Sequence, residues 1–437
     1  MGPGPSKTGS RWWRLCLAVG VVVLARYLFF VVAPAAVRPD TNGFAAYFTM
    51  ARVLLTHPAD LARVYDDVWF QSQIDACGFH HVIDMVGAQP PTMALLLAPF
   101  AWASPAAARL AWVLCSVGFW VAAVAALCRV LPGRCSSPRW TLGVLAVSTA
   151  YRPLRENLDR GQVYTLLLLL LVSSLVMLAK GGRRASLVAG VPLGVMVVVK
   201  SAGVWLLLML LVSRRWRTVL VAAGTYVAVA LLSLPVIGFG PWGAFLHGLV
   251  NLPGERFRYV TAYQTLGGLF GHLFVFDATW SPRPLTDAPL LATVLTLLGM
   301  ALAMAQSRRF ERGAPDSVAA RLLALALFDS LVVTLAPIAE GYHYVLVFPA
   351  VVIAVSWAIE RRVGARSWLV LGASLVVLTA PQRLYSHPAI QGGALALLAY
   401  PRVYGALLLW GWLGRALAGV ARAPEGGDLV ARSAPNG

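Results

Sequence analysis

Asp40 sits in the stretch AVRPDTNGFAAY, directly after a long, nearly unbroken apolar run and just ahead of a helix-like one. A carboxylate at such a junction has two uses. It can cap the following helix, or it can take a proton from an attacking hydroxyl. Thr41 and Asn42 could cap equally well, which weakens the case for Asp40 as the cap. Lys200, in VVVKSAG, lies between two apolar segments. A lysine there either snorkels to the water boundary or meets an anion such as phosphate. The stretch YRPLRENLDRGQVY packs Arg155, Asp159, Arg160 and Gln162 together where the next helix begins. Helix N-termini flanked by arginines attract phosphate, although an ordinary polar loop would look the same.

Two later stretches add polar groups. PIAEGYHYVLVFP carries Glu340, His343 and Tyr344. Its histidine is either structural or a donor to phosphate, with Glu340 as a carboxylate partner. GERFRYVTAYQTLGG carries Arg256, Arg258, Tyr259, Tyr263 and Gln264. That mixture suits a sugar or phosphate headgroup, and equally a membrane-interface aromatic belt. Metal chemistry has weaker support. Asp66-Asp67 could hold a divalent cation through oxygen but reads first as a solvated turn. His80-His81 lacks a partner at ligand spacing, and the five cysteines show neither a zinc nor a disulfide pattern. No metal and no cofactor is expected.

The elements that position these groups are membrane spans. The 437 residues are 59% hydrophobic and 12% charged, half the charge of a soluble domain, and the mean hydropathy is +0.72. Twelve apolar segments read as helices: 14–36, 106–130, 138–152, 163–180, 185–199, 203–213, 217–238, 286–306, 318–338, 342–359, 367–381 and 395–418. The segment 90–102 is short for a span and suits a helix at the interface. Residues 43–56 place Phe44, Phe48, Ala51 and Leu55 on one face, as in an amphipathic helix lying on the membrane. The N-terminus is short, basic and without a cleavage site, and reads as leading into an uncleaved first span.

Placing the N-terminus inside and alternating gives seven inner segments with three basic residues each, more than half of the 36 Lys and Arg. That bias accounts for the net charge of +18 without nucleic acid, which is not expected as a partner. Asp40, Lys200 and all seven histidines then fall on the outer side. The expected organisation is one membrane-embedded unit over 1–424, with outer loops 37–105 and 239–285 and a disordered cytoplasmic tail at 425–437. Arg26 and Asp329 fall inside spans and are expected to pair with each other.

The order of these motifs along the spans resembles the GT-C glycosyltransferases, and among them family 87, polyprenol-phosphate-mannose-dependent α-mannosyltransferases of actinobacteria. The carrying stretches are Asp40 with Tyr47 and Tyr65-Asp66, then QPPTMALLLAPFAW leading to ARLAWVL, GQVYTLLLLLL, GVPLGVMVVVKSAGVWLLLMLLVSRRWR and LAPIAEGYHYVLVF. The resemblance spans about 15 to 400. It implies an all-α polytopic bundle of about twelve helices, with a large first extracytoplasmic loop carrying amphipathic surface helices. It implies a polyprenyl-phosphate sugar donor, a glycolipid or lipoglycan acceptor, and inverting transfer on the outer face of a bacterial plasma membrane, with both termini cytoplasmic. Asp40 then matches the general base and His343 a histidine near the donor phosphate; Lys200 and Gln162 match positions lining the donor side. Where relatives carry a tryptophan and paired histidines, this chain has Glu340-Gly341-Tyr342-His343-Tyr344. Three other readings stay open: a lipid-linked sugar transporter or flippase, an arabinosyltransferase using decaprenyl-phosphate arabinose, and a non-catalytic assembly or scaffold membrane protein.

Overall fold

Backbone N–H and C=O groups in lipid must be satisfied within their own segment, so long apolar runs fold as helices. A computed structural model describes residues 7–87, 89–251 and 260–422. In chain order the helices are α1 (Lys7–Tyr27), α2 (Ala33–Val37), α3 (Phe44–Thr56), α4 (Asp67–Ala76), α5 (Thr92–Ala101), α6 (Pro105–Cys128) and α7 (Pro138–Ser148). There follow α8 (Arg152–Arg160), α9 (Tyr164–Lys180), α10 (Arg183–Val199), α11 (Val204–Val212), α12 (Trp216–Ile237), α13 (Phe239–Asn251) and α14 (Leu266–Phe274). The chain closes with α15 (Pro289–Glu311), α16 (Val318–Asp329), α17 (Phe348–Glu360), α18 (Ala365–Leu378), α19 (Gln382–Tyr385) and α20 (Pro401–Ala421). Among the described residues the β structure is a single bridge between Asp277 and Ser281.

Each expected span contains a helix, but their lengths differ. Among the described residues, six helical segments are long and apolar enough to cross a membrane: Cys16–Val37, Pro105–Cys128, Trp216–Ile237, Pro289–Glu311, Gly341–Glu360 and Pro401–Ala421. The chain is a multi-pass membrane protein. Shorter apolar helices such as α9 and α11 lie among these six. The segment expected over 318–338 stops being helical at Asp329 and continues in turns.

Burial sorts the helices into inner and outer. Nine of the twelve residues of α16 are buried, as are nine of α17. A helix apolar all round belongs at the centre. By contrast α1, α12 and α15 leave Val19, Val22, Leu231, Leu232, Leu290 and Leu297 exposed, as lipid-facing surfaces do.

Two expectations are corrected here. The helix over 44–56 exists, but ten of its thirteen residues are buried, so it is not an amphipathic helix laid on the membrane. Phe79, from the segment that follows α4, packs edge-on against both Phe44 and Phe48. The short helix α5, in the segment read as too short for a span, packs against α3, α6 and α10. Finally, Arg26 and Asp329 do not pair. Arg26 is exposed over the Phe30 ring, while Asp329 Oδ2 accepts the Ala350 N–H at 3.2 Å near the start of α17. The unpaired N–H groups of a helix N-terminus supply the polar partner that an arginine was expected to provide. The expected tail 425–437 lies outside the described residues, as do Arg256, Arg258 and Tyr259.

Candidate active site

The site forms where the start of α3, the α8–α9 junction, the end of α10 and the turn before α17 converge. Two glycines allow this approach. Gly43 has φ +99° and Gly161 φ +64°, both in the left-handed region. A Cβ on Gly43 would overlap the Gln162 amide, and one on Gly161 would overlap the Arg109 guanidinium.

Lys200 ends α10 and is 9% exposed. Its Nζ donates to Tyr47 Oη at 2.9 Å and to Gln162 Oε1 at 3.3 Å. The Tyr47 hydroxyl also donates to Gln162 Oε1. The ammonium lies 5.4 Å and 5.1 Å from the centres of the Tyr47 and Tyr164 rings. Among the described residues no carboxylate pairs with it. Burial lowers its pKa to about 8, opposed by the negative charges of Glu340 and Asp84. Burial, then Asp84 and Glu340, raises the Tyr47 phenol, which stays a neutral donor.

His343 adjoins this cation through Tyr164, whose ring centre lies 4.4 Å from the imidazole. Tyr342 stacks on the imidazole at 4.6 Å. His343 Nδ1 accepts the Glu340 N–H at 3.1 Å. The neutral ring then carries its proton on Nε2, which is left to donate.

Asp40 is exposed, four residues ahead of the start of α3, and accepts the His80 N–H at 3.4 Å. It does not cap α3, and neither does Thr41 or Asn42. Thr41 Oγ1 donates to Arg160 O at 3.4 Å, and Asn42 Nδ2 donates to Ile83 O at 2.8 Å. The capping carboxylate is Asp84, whose Oδ2 accepts the Gly43 N–H and the Ala46 N–H. Burial pushes the Asp84 carboxyl up to about 6, against the N–H groups of Gly43, Met85 and Ala46 and the Lys200 charge. Asp84 does not stand out in the sequence as a site residue. Its signal was one acid inside VIDMV, where alternate residues Val82 and Val86 are buried.

The other expected site residues are placed differently. Arg160 pairs with Glu340, which also accepts the Tyr342 hydroxyl at 3.0 Å, so neither charge is free. Arg155 forms an exposed pair with Asp159 at 3.5 Å. Gln264 is fully buried, donating to Thr261 O at 2.7 Å and Ala399 O at 2.8 Å and accepting the Arg402 N–H at 3.2 Å. Tyr344 is also fully buried, with its hydroxyl on Gln264 O at 2.8 Å. Both tie the scaffold together behind the site and are not brought to Lys200. Asp66 caps α4, accepting from Val68 and Trp69. No group of three His, Cys, Asp or Glu among the described residues could hold a metal ion.

Arg109 was missed as a site builder. It is fully buried in α6, and donates from Nε to Ala35 O at 2.8 Å and from Nη2 to Leu158 O and Asp159 O, each at 2.8 Å. It thereby ties the last turns of α2 and α8, which lead into Asp40 and Gly161, to one span. An arginine within the apolar run of α6 was its signal.

A buried ammonium, a phenol and an imidazole N–H gathered together, with the exposed Asp40 carboxylate just ahead of α3, suit an anionic leaving group and a hydroxyl nucleophile. Residues 89–337 match the model of glycosyltransferase family 87. The chain belongs to glycosyltransferase family 87. This family 87 protein is therefore a glycosyltransferase. Two curated relatives share the name polyprenol-phosphate-mannose-dependent alpha-(1-2)-phosphatidylinositol mannoside mannosyltransferase. The one from Mycobacterium tuberculosis is 25% identical over 308 residues, 67% of each chain. The one from Mycolicibacterium smegmatis is 25% identical over 358 residues, 77% of this chain and 78% of the relative. No solved structure matches this family 87 chain at a significant level.

Proposed function

We propose that this glycosyltransferase moves mannose from a polyprenyl phosphate to a glycolipid of the phosphatidylinositol mannoside type. Transfer inverts the anomeric carbon, forms an α-linkage and takes place on the extracytoplasmic face of a bacterial plasma membrane. The bundle carrying it has about twelve membrane helices. The observation that carries this reading is Lys200: a buried cation on Tyr47 and Gln162, without a carboxylate partner among the described residues, beside the free His343 Nε2. An unpaired buried cation is costly, and an incoming phosphate offsets that cost. The names of the two relatives supply the donor and acceptor classes.

Asp40 acts as the general base. Its carboxylate takes the acceptor hydroxyl's proton as that oxygen bonds to C1 of the sugar. The bond from C1 to the phosphate oxygen breaks, and its electron pair leaves with the polyprenyl phosphate. Lys200 and the His343 Nε2–H stabilise the charge that grows on that phosphate. Where Lys200 and His343 hold the departing phosphate, the step does not require a metal.

The test is a membrane assay with radiolabelled polyprenyl-phosphate mannose and, in parallel, decaprenyl-phosphate arabinose. Mannose label in a glycolipid, with an α-linkage on analysis, is the expected result. Label from arabinose alone would replace the donor. Movement of intact lipid-linked sugar across the bilayer without transfer would replace the reaction with transport.

A further inference from the structure

A cavity of about 460 Å³ lies on the other side of α3 from Lys200, between α3, α4 and the loop joining α5 to α6. Arg52, His57, Gln73, Trp102 and Ser104 line it, and among the described residues no Asp or Glu does. We infer that this cavity seats the phosphate-bearing headgroup of the acceptor lipid, and that this acceptor carries more than one sugar between its phosphate and the attacked hydroxyl. The inference rests on the acceptor class proposed above and adds where and how that acceptor is held.

Charge argues for an anion. Arg52 is half-buried, spends one N–H on Ala101 O at 2.7 Å and has no carboxylate ion pair among the described residues. The N-terminus of the 24-residue α6 meets the same wall, with Ser104 as its cap. Unpaired N–H groups there add to the positive potential. His57 adds an exposed imidazole whose Nδ1 lies 2.9 Å from Thr56 Oγ1.

The rest of the wall argues for sugar and for lipid. Trp102 is 75% exposed, an unusual state for the largest side chain, and offers a flat face to a sugar ring. It stands three residues before the membrane span Pro105–Cys128. Tryptophan at a span's end marks the headgroup level, where a lipid phosphate lies.

Spacing sets the acceptor's size. Arg52 is eight residues along α3 from Phe44, which a rise of 1.5 Å per residue makes about 12 Å. Asp40 precedes Phe44 at that helix's near end. A single ring does not bridge a phosphate at Arg52 and a hydroxyl at Asp40; a short oligosaccharide does.

The test uses the full chain in detergent micelles containing phosphatidylinositol, with phosphatidylcholine and inorganic phosphate as separate arms. Arg52→Gln keeps an N–H for Ala101 and removes the charge. Trp102→Ala changes an exposed side chain and leaves the fold intact. Phosphatidylinositol is expected to raise the wild-type melting temperature and phosphatidylcholine to leave it unchanged. Both variants should weaken phosphatidylinositol binding by about tenfold. Both should raise the acceptor KM by a similar factor and leave the donor KM unchanged. Unaltered phosphatidylinositol binding and acceptor KM in both variants would overturn the inference. A rise in the donor KM instead, or equal stabilisation by inorganic phosphate alone, would overturn it too. If the variants lose phosphatidylinositol binding while the wild type transfers label to no glycolipid, the lipid site stands and the proposed reaction falls.

Discussion

Asp84 Oδ2 accepts the Ala46 N–H at 3.2 Å, and so closes the N-terminus of α3 four residues after Asp40. The same oxygen accepts the Gly43 N–H. A loop residue distant in sequence thus holds the segment that presents the base. Asp84→Ala is expected to cost about 1–2 kcal/mol, the usual loss for a helix cap. It should also lower kcat while sparing the donor KM, because Asp40 is displaced and Lys200 is not. Asp84→Asn keeps one acceptor and should retain more of both.

The pH dependence of that pair has a definite sign. The folded protein holds the Asp84 proton up to about pH 6, against an ordinary 3.8. Its contribution to stability is therefore present in full below 3.8 and is lost as pH rises through 6. Asp84→Asn cannot ionise. Its melting temperature relative to wild type should fall as pH drops from 7 to 5; a constant difference would contradict the shift.

Asp40 accepts a single N–H at 3.4 Å and is exposed, so its side chain contributes little to the fold. Asp40→Asn should leave the melting temperature within about 0.5 kcal/mol equivalent. Transfer should fall by about 100-fold or more, as for a lost general base. Near-normal turnover in single-turnover assays would remove Asp40 from the mechanism.

Lys200 gives the donor side its own pH signature. Above about pH 8 its ammonium loses its proton. Donor affinity is expected to fall as pH rises through that value. Stability moves the other way, since between about 8 and 10.5 the unfolded chain binds the extra proton and higher pH favours the folded state. Lys200→Met should weaken donor binding by about 1.5–3 kcal/mol, a charge-assisted hydrogen bond's worth. It should not lower the melting temperature. A donor KM independent of pH in wild type and unchanged in the variant would refute the assignment.

Gly161 tests the close approach of α8, α3 and α6. An alanine there meets both a positive φ and the Arg109 guanidinium. Gly161→Ala is expected to cost roughly 2–4 kcal/mol in thermal unfolding. Gly78 also has a positive φ but open space around its Cβ position. Gly78→Ala should cost only about 1 kcal/mol. Equal losses would mean that packing at Gly161 is unimportant.

Glu156 and Arg402 form a two-bond pair, at 2.9 Å and 2.8 Å, behind the site. Arg402 is fully buried. Glu156→Gln should cost about 3–5 kcal/mol, because it leaves a buried charge without its partner. Glu156→Gln combined with Arg402→Met should recover part of that loss. A double mutant no better than the sum of the singles would show that the pair is not coupled.

Apolarity is a local property, and what depended on it was readable from the chain alone. The positions of the helices follow from runs of Leu, Val and Ala, and the membrane class follows from their length. Lys200 and Asp40 stood out because a charge next to such runs needs a reason. Partnership is not local, and only the tertiary structure decided it. Arg160 reads from the sequence as a group that could attract phosphate, whereas in the fold it pairs with Glu340, 180 positions away. Gln264 and Tyr344 proved to be ties within the scaffold, 80 positions apart. The cap of α3 came from Asp84, while Thr41 and Asn42 beside it turned to other backbone carbonyls. A hydrogen bond is decided within about 3 Å. At that range, which polar residue is spent on the fold and which is left for chemistry depends on chain segments that the sequence keeps far apart.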